Sequence, residues 1–396
     1  MHAPPSSPIE ILARHFDVGT ALPEGAERTL LEVLESVPDP RDRRGVRHGF
    51  AGILVIGICA VAAGARSFAA IAEWAADTAR ERLRELGIGV PDASTIRRAL
   101  SRTTGEEFDE ITGTWLAVCV HAFSAPDSRR RAVAVEGKTL RGARSGGDRA
   151  PGLMGCIDHT VGVVIGQVTL SDKSHEIGQF PVLLDQVGDI DNVVVTADAL
   201  HTQRGHAEYL HAKGAHFVFT VKGNQKRLHQ QLRSMPWADV PVGHTETDKV
   251  RGRIVTRTYK VITVTAGILF PHAVQAIRVT RSRKISTTGK RTRETVYAIT
   301  SLANSQTDPA ELADYLRGHW LIENKLHWVR DVTFDEDSSR IRTGGGPRMM
   351  ASLRNLAISL LRLTGHHNIA QALRYIARDA DRALKLLTTS PNTTLP

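Results

Sequence analysis

The chain has 396 residues with 41% hydrophobic and 23% charged content, which excludes a disordered tail or a fibre and allows two or three domains with real cores. Its 51 lysines and arginines exceed its 42 aspartates and glutamates, for a net charge of +9. That excess points towards a polyanion such as nucleic acid, although charge alone also suits a membrane surface. Cys59, Cys119 and Cys156 stand far apart in apolar runs with no C-x-x-C pair, which excludes a zinc ribbon and suits a reducing cytoplasm.

In chain order, MHAPPSSPIEIL lacks the basic start and apolar stretch of a signal peptide. The most apolar run, FAGILVIGICAVAAGA from Phe50, is shorter than the roughly 20 residues that span a bilayer, so it predicts a buried helix and no membrane contact. From about Pro23 to Ala122 apolar residues recur at helical spacing, punctuated by Pro38, Pro40 and Pro91. In PDASTIRRALSR, Asp92 or Ser94 caps a helix with Ile96 and Leu100 inward and Thr95, Arg97, Arg98 and Arg102 outward. Such a helix fits DNA recognition in a helix-turn-helix, and equally a solvated basic face.

The period then changes. VAVAVEGKTL, GLMGCIDHT and VGVVIGQVTL predict three short strands, followed by a helix around FPVLLDQVG, a strand NVVVTADAL, a helix through HAEYLHAKG and a strand HFVFTVKGN. This is the order of an RNase H-like sheet, though periodicity alone admits other α/β folds. Between about Lys226 and Thr307 the helical pattern is lost, and RIVTRTYKVITVT, HAVQAIRVTRS and ETVYAITSL predict a β-rich insertion. Its RSRKISTTGKRTRE stretch gathers Arg281, Arg283, Lys284, Lys290, Arg291 and Arg293 about a turn, a shape for gripping phosphates or a solvated hairpin tip. After Asp308 the chain is helical through DPAELADYLRGHWLIENKLHWVRDV, breaks at TGGGP, and resumes in two more helices before a loose tail.

Two acidic residues stand where a strand should be apolar. Asp198 ends NVVVTADAL and Glu136 ends VAVAVE; a charge there is costly unless compensated, as by a divalent cation at the sheet edge. The plainer readings are a helix cap for Asp198 and a surface charge for Glu136. In the last long helix His319, Glu323 and His327 fall at i, i+4 and i+8, with Arg330 close to their face. That cluster admits zinc held by two histidines and a glutamate, or a glutamate serving Mg²⁺ beside cations that meet phosphate.

VAVEGKTLRGAR, VVVTADALHTQR, FVFTVKGNQ, RGHWLIENKLHWVRDVTFDEDSSRIRTG and PRMMASLRNLAISLLR, with DPRDRRGVRHGFAGIL further upstream, resemble the ISAs-type, or H-repeat-associated, insertion-sequence transposases. The likeness runs over nearly the whole chain. It implies an α/β fold, an RNase H-like mixed sheet with a β-rich insertion before the last catalytic helix, plus N-terminal and C-terminal helical regions. It implies residues 1–125 as an N-terminal helical DNA-binding part, 126–226 and 308–345 as the catalytic core, 227–307 as the insertion and 346–396 as C-terminal helices and tail.

The resemblance further implies an Asp, Asp, Glu triad binding two Mg²⁺ ions, with Mn²⁺ substituting. Carried over, the second aspartate is Asp198 and the glutamate Glu323, while Glu136 stands at the first aspartate position. The extra methylene shifts its oxygens by roughly 1 to 1.5 Å, enough to lower or abolish turnover at a two-ion site. Where related transposases set Tyr, Arg and Lys around the glutamate, this chain has Leu316, His319 and Arg330; where they have Asn, it has His175. In DEDSSR, Asp335, Glu336 and Asp337 resemble an acidic pair of the family, or form a solvated turn pairing with Arg340 and Arg342.

On this reading the partners are double-stranded DNA, as element ends and target, and a second copy of the chain during synapsis, with the protein cytoplasmic and associated with the nucleoid. Lys138, Arg141, Lys222 and Asn224, with His319 and Arg330, hold DNA near the metals, and Arg97 and Arg98 on the N-terminal helices meet it elsewhere. The alternatives are a metal-dependent nuclease without strand transfer, a catalytically impaired copy that binds DNA, and a zinc enzyme on His319, Glu323 and His327.

Overall fold

The computed structural model describes residues 28–44, 46–123, 129–144, 150–170, 176–250, 252–264 and 268–389. The N-terminal part is helical, with α1 Leu30–Glu35, α2 Phe50–Ala62, α3 Phe68–Glu73, α4 Arg80–Glu85, α5 Ala93–Arg102 and α6 Glu106–Phe123. α2 is apolar all round because every residue from Ile53 to Ala62 is buried within the protein. Among the described residues no helix is long and apolar enough to cross a membrane. At α5 the cap is Asp92, whose Oδ1 accepts from the Thr95 amide at 2.8 Å. Ile96 and Leu100 are buried, and Arg97, Arg98 and Arg102 are exposed.

The sheet begins with β1 Ala132–Thr139, β2 Gly152–Asp158, β3 Val164–Leu170, β4 Val194–Ala197 and β5 His216–Val221, with α7 Glu176–Val187 and α8 Arg204–Ala212 between strands. β1, β4 and β5 are parallel, and β2 and β3 antiparallel to their neighbours. The lateral order β3-β2-β1-β4-β5 makes this the expected RNase H-like mixed sheet. Cys59, Cys119 and Cys156 are buried and free.

The β-rich segment, β6 His244–Val250, β7 Arg253–Thr263, β8 Gln275–Ile285 and β9 Arg291–Thr300, is continuous with that sheet. β9 pairs antiparallel with β5, from Val218 opposite Thr300 to Val221 opposite Tyr297, and the nine strands run β3-β2-β1-β4-β5-β9-β8-β7-β6. Two elements here depart from the sequence expectation. A helix, α9 Lys226–Ser234, buries only Leu228 and Leu232, too short an apolar pattern to register as a period. β6 has no apolar alternation because its side chains bond to charge instead: Asp248 accepts from Arg257 at 2.7 Å, and Glu246 from the Tyr259 hydroxyl at 2.8 Å.

α10, Pro309–Leu321, starts on Asp308, whose Oδ1 accepts from the amides of Ala310 and Glu311 at 2.8 Å each, with Pro309 in the first turn where no amide is missed. It crosses one face of the sheet, packing Leu312, Ala313 and Tyr315 with Ala132, Val194, Val218 and Ala298. Past Leu321 the helix widens into π-helical turns over Ile322–His327 and Val329–Thr333. The glycine break docks on α5: the Gly345 amide donates to the Ser101 carbonyl at 2.9 Å. Gly344 has φ +54°, and a Cβ there would lie 2.6 Å from the same carbonyl oxygen. α11, Gly346–Leu363, is buried along nearly its whole length, and α12 Ile369–Ile376 and α13 Ala380–Lys385 follow it. The apolar faces after Gly344 therefore pack back on the core.

Candidate active site

Parallel pairing sets the site. β1 runs beside β4 with Val135 opposite Ala197, so Asp198 follows the end of β4 and Glu136 is the next residue of β1, which runs on to Thr139 paired with β2. Glu136 is therefore inside its strand and not at the strand end its sequence suggested. β4 runs beside β5 with Ala197 opposite Phe219, which brings Thr220 to the same level. α10 and its π extension cover this face, and Glu136, Asp198, Thr220, Lys222, His319 and Glu323 line one cleft of about 380 Å³.

Widening of the helix changes the geometry expected from an ideal α spacing, since a π turn holds more residues than an α turn. Glu323 stays against His327, Oε2 to Nδ1 3.5 Å, while the charge of Asp198 is felt at the His319 ring. Among the described residues, the group with ligand atoms within 4.8 Å of one another is Glu136, Glu323 and His327. The two-histidine zinc set of His319, Glu323 and His327 is not brought together.

Burial, and then the charges of Glu323, Asp198 and Glu176, raise the Glu136 carboxyl to about 8, against only Lys138 in the other direction. Glu323 is held below the usual range, chiefly by its hydrogen bond to His327. Burial pushes His319 down to about 4, and its Nδ1 has no hydrogen-bond partner. Carboxylates crowded on a half-buried edge form a donor set of hard oxygens suited to Mg²⁺ or Mn²⁺.

The cationic candidates separate by position. Lys222 lines the cleft. Lys138 lies beside it, donating to Asp331 at 2.5 Å. Arg141 is exposed, 3.6 Å from Asp337, and does not line the cleft. Asn224 donates to the Ala199 carbonyl at 2.5 Å and so braces the turn that follows Asp198. Arg97 and Arg98 are exposed on α5, away from the cleft residues. Arg330 is 1% exposed and paired with Glu336 at 2.7 Å, so it is enclosed rather than open to a strand. Glu336 is correspondingly buried between Arg330 and Arg354, while Asp335 and Ser338 of the same turn are exposed, so within DEDSSR it is Glu336 that is withdrawn from solvent, and its partners are these arginines and not Arg340 or Arg342. His175 lies outside the described residues.

Arg281 and Arg283, expected to grip phosphate around a hairpin turn, instead belong to a wall of the cleft that the sequence did not reveal, with Arg257 and Trp320. Across β7 and β8, Arg257 and Arg281 stand opposite one another and both guanidinium groups lie over the Trp320 ring, at 5.7 and 4.8 Å. A groove of about 850 Å³ continues from there past Arg253, Arg283, Asn324 and Trp328. Trp320 and Trp328 are 45% and 51% exposed, unusual for large apolar rings. The signal was the repeated arginines on strands, whose partners across the sheet no local pattern reveals.

Residues 127–360 match the Transposase DDE domain family, and residues 31–116 match the DDE_Tnp_1-associated family. The chain belongs to the DDE transposase family.

Its relatives include "Putative transposase YncI" of Escherichia coli O157:H7, 31% identical over 349 residues that cover 85% of this chain and 87% of that one. "H repeat-associated putative transposase YhhI" of Escherichia coli strain K12 is 29% identical over 350 residues, 84% of this chain and 90% of that one. Among solved structures, a piggyBac transposase synaptic complex with hairpin DNA aligns over 96% of this chain and 81% of its own, with a TM-score of 0.41 and 11% identity. The family match spans β1 to α11, and thus Glu136, Asp198 and Glu323 together.

Proposed function

We propose that this DDE transposase cleaves and rejoins DNA at the ends of its insertion sequence, with Glu136, Asp198 and Glu323 holding two Mg²⁺ ions, or Mn²⁺ in their place. The observation that carries the reading is the parallel pairing of β1 with β4, which sets Glu136 of β1 beside Asp198 at the end of β4, in one cleft with Glu323. Bound there, divalent ions supply Lewis-acid activation of the scissile phosphate and of the attacking hydroxyl. The chain does the rest. Lys222 and Arg281 present positive charge to the phosphate backbone on either side of the carboxylates, Trp320 offers an exposed ring beside them, and Arg141 meets DNA outside the cleft. Residues 1–125, with Arg97 and Arg98 outward on α5, recognise the element end, since phosphate contacts only position it. Joining two ends requires at least two copies of the chain.

A second reading has one observation in its favour. Glu136 stands where the resembled family has aspartate, which fits a copy that binds DNA but turns over poorly. Incubation with a labelled element end and Mg²⁺ or Mn²⁺ separates them. Strand cleavage and joining abolished by Asp198→Ala and by Glu323→Ala support the active enzyme. An inert wild type revived by Glu136→Asp marks the impaired copy, cleavage without joining marks a nuclease, and cleavage that survives both alanine variants removes the site.

A further inference from the structure

α7 begins with Glu176, on the face of the sheet opposite to α10. Its carboxylate reaches β1 at Gly137, just past the end of the β1–β4 pairing: a Cβ on that glycine would lie 2.3 Å from Glu176 Oε1. A side chain at 137 would thus evict the carboxylate, and glycine leaves the passage open. From there the charge of Glu176 is felt at Glu136, the preceding residue of β1.

The turn after Asp198 meets Glu176 from the other side. His201, three residues on, is fully buried, with neither ring nitrogen hydrogen-bonded and Nε2 aimed at Glu176 Oε1 from 3.6 Å. His206 stacks on Phe180 at 4.1 Å, and its ring nitrogens lie 3.0 Å from the carbonyls of His201 and Ile177, which ties the first turn of α7 to the turn after Asp198. A buried, unpaired imidazole pointed at a carboxylate that already faces like charges is costly unless the carboxylate has further work.

We propose that Glu176 is a fourth carboxylate of the site, reaching past Gly137 from the opposite face of the sheet to ligate the cation bound by Glu136, with His201 as the positioning residue that orients it. The inference rests on the metal-site reading above. Metal-ligating groups are commonly oriented by such a neighbour, whose loss weakens binding about 10- to 100-fold.

The test is Mn²⁺ binding by the full-length protein, measured by calorimetry and by the paramagnetic resonance of free Mn²⁺, for wild type, Glu176→Gln, His201→Asn and Asp198→Asn, with melting temperatures recorded in chelator. The expected result is Mn²⁺ affinity lower by about tenfold or more in Glu176→Gln and His201→Asn. In chelator Glu176→Gln should melt at or above wild type, because one of the crowded charges is gone; a purely structural partner of His201 would melt lower. Wild-type Mn²⁺ affinity in Glu176→Gln, with binding lost in Asp198→Asn, overturns the role of Glu176 and leaves the metal site standing. No Mn²⁺ binding by wild type, or none of the variants weakened, overturns both.

Discussion

Arg330 Nη2 lies 2.7 Å from Glu336 Oε1 inside the protein, with both side chains about 3% exposed or less. Arg354 donates to the other oxygen at 2.9 Å. Burial alone would push the Glu336 carboxyl up, but the two guanidinium groups outweigh it and hold it below the usual range. Glu336 thereby joins the π-helical end of the candidate catalytic helix to α11. Glu336→Gln leaves two buried arginines without their counter-ion, and denaturant unfolding should show a loss of about 3–5 kcal/mol. A loss near zero would mean the arginines find water or another partner.

Stability of the metal-free protein should depend on pH through Glu136. The group keeps its proton up to about pH 8 in the folded state, whereas its ordinary value is 4.5. Between these values the folded state binds the extra proton, so stability falls as pH rises from about 4.5 to about 8, by at most roughly 5 kcal/mol. Glu136→Gln should flatten that slope. Metal binding expels the same proton, so Mn²⁺ titrations near pH 7 in buffers of different ionisation enthalpy should report proton release in wild type and less in the variant. Equal release in both would place the titrating group elsewhere.

Arg281 faces the cleft over Trp320, while Arg330 is enclosed. If the groove carries a nucleic-acid strand, Arg281→Ala should weaken DNA binding and reduce the slope of log affinity against log salt by about 1, the loss of one phosphate contact. Arg330→Met should lower stability and leave that slope unchanged. The opposite pattern would move the DNA path off the β7–β8 face.

The core sheet was legible because its strands are apolar runs bounded by turns, and Glu136 and Asp198 stood out as charges at the ends of such runs. Their adjacency was not legible, since it depends on the parallel register between strands more than fifty residues apart. Glu176 carried no local mark: an acid in the first turn of a helix is ordinary, and its role depends on the gap at Gly137. Arg330 misled because spacing along the helix set it near Glu323, and only the π turns and the buried Glu336 turn it inward. β6 escaped because its pattern is charged rather than apolar.

Iron-directed backbone cleavage reads out a metal site at Glu136, Asp198 and Glu323 without needing DNA. The protein, freed of metal and loaded with Fe²⁺ and ascorbate, generates hydroxyl radicals at the bound ion, which cut the chain nearby. Cuts should cluster around residues 136, 198 and 323, be suppressed by excess Mg²⁺ and be absent in Asp198→Asn. Cuts confined to other segments, or a pattern that Mg²⁺ does not compete away, would contradict a metal site at these carboxylates.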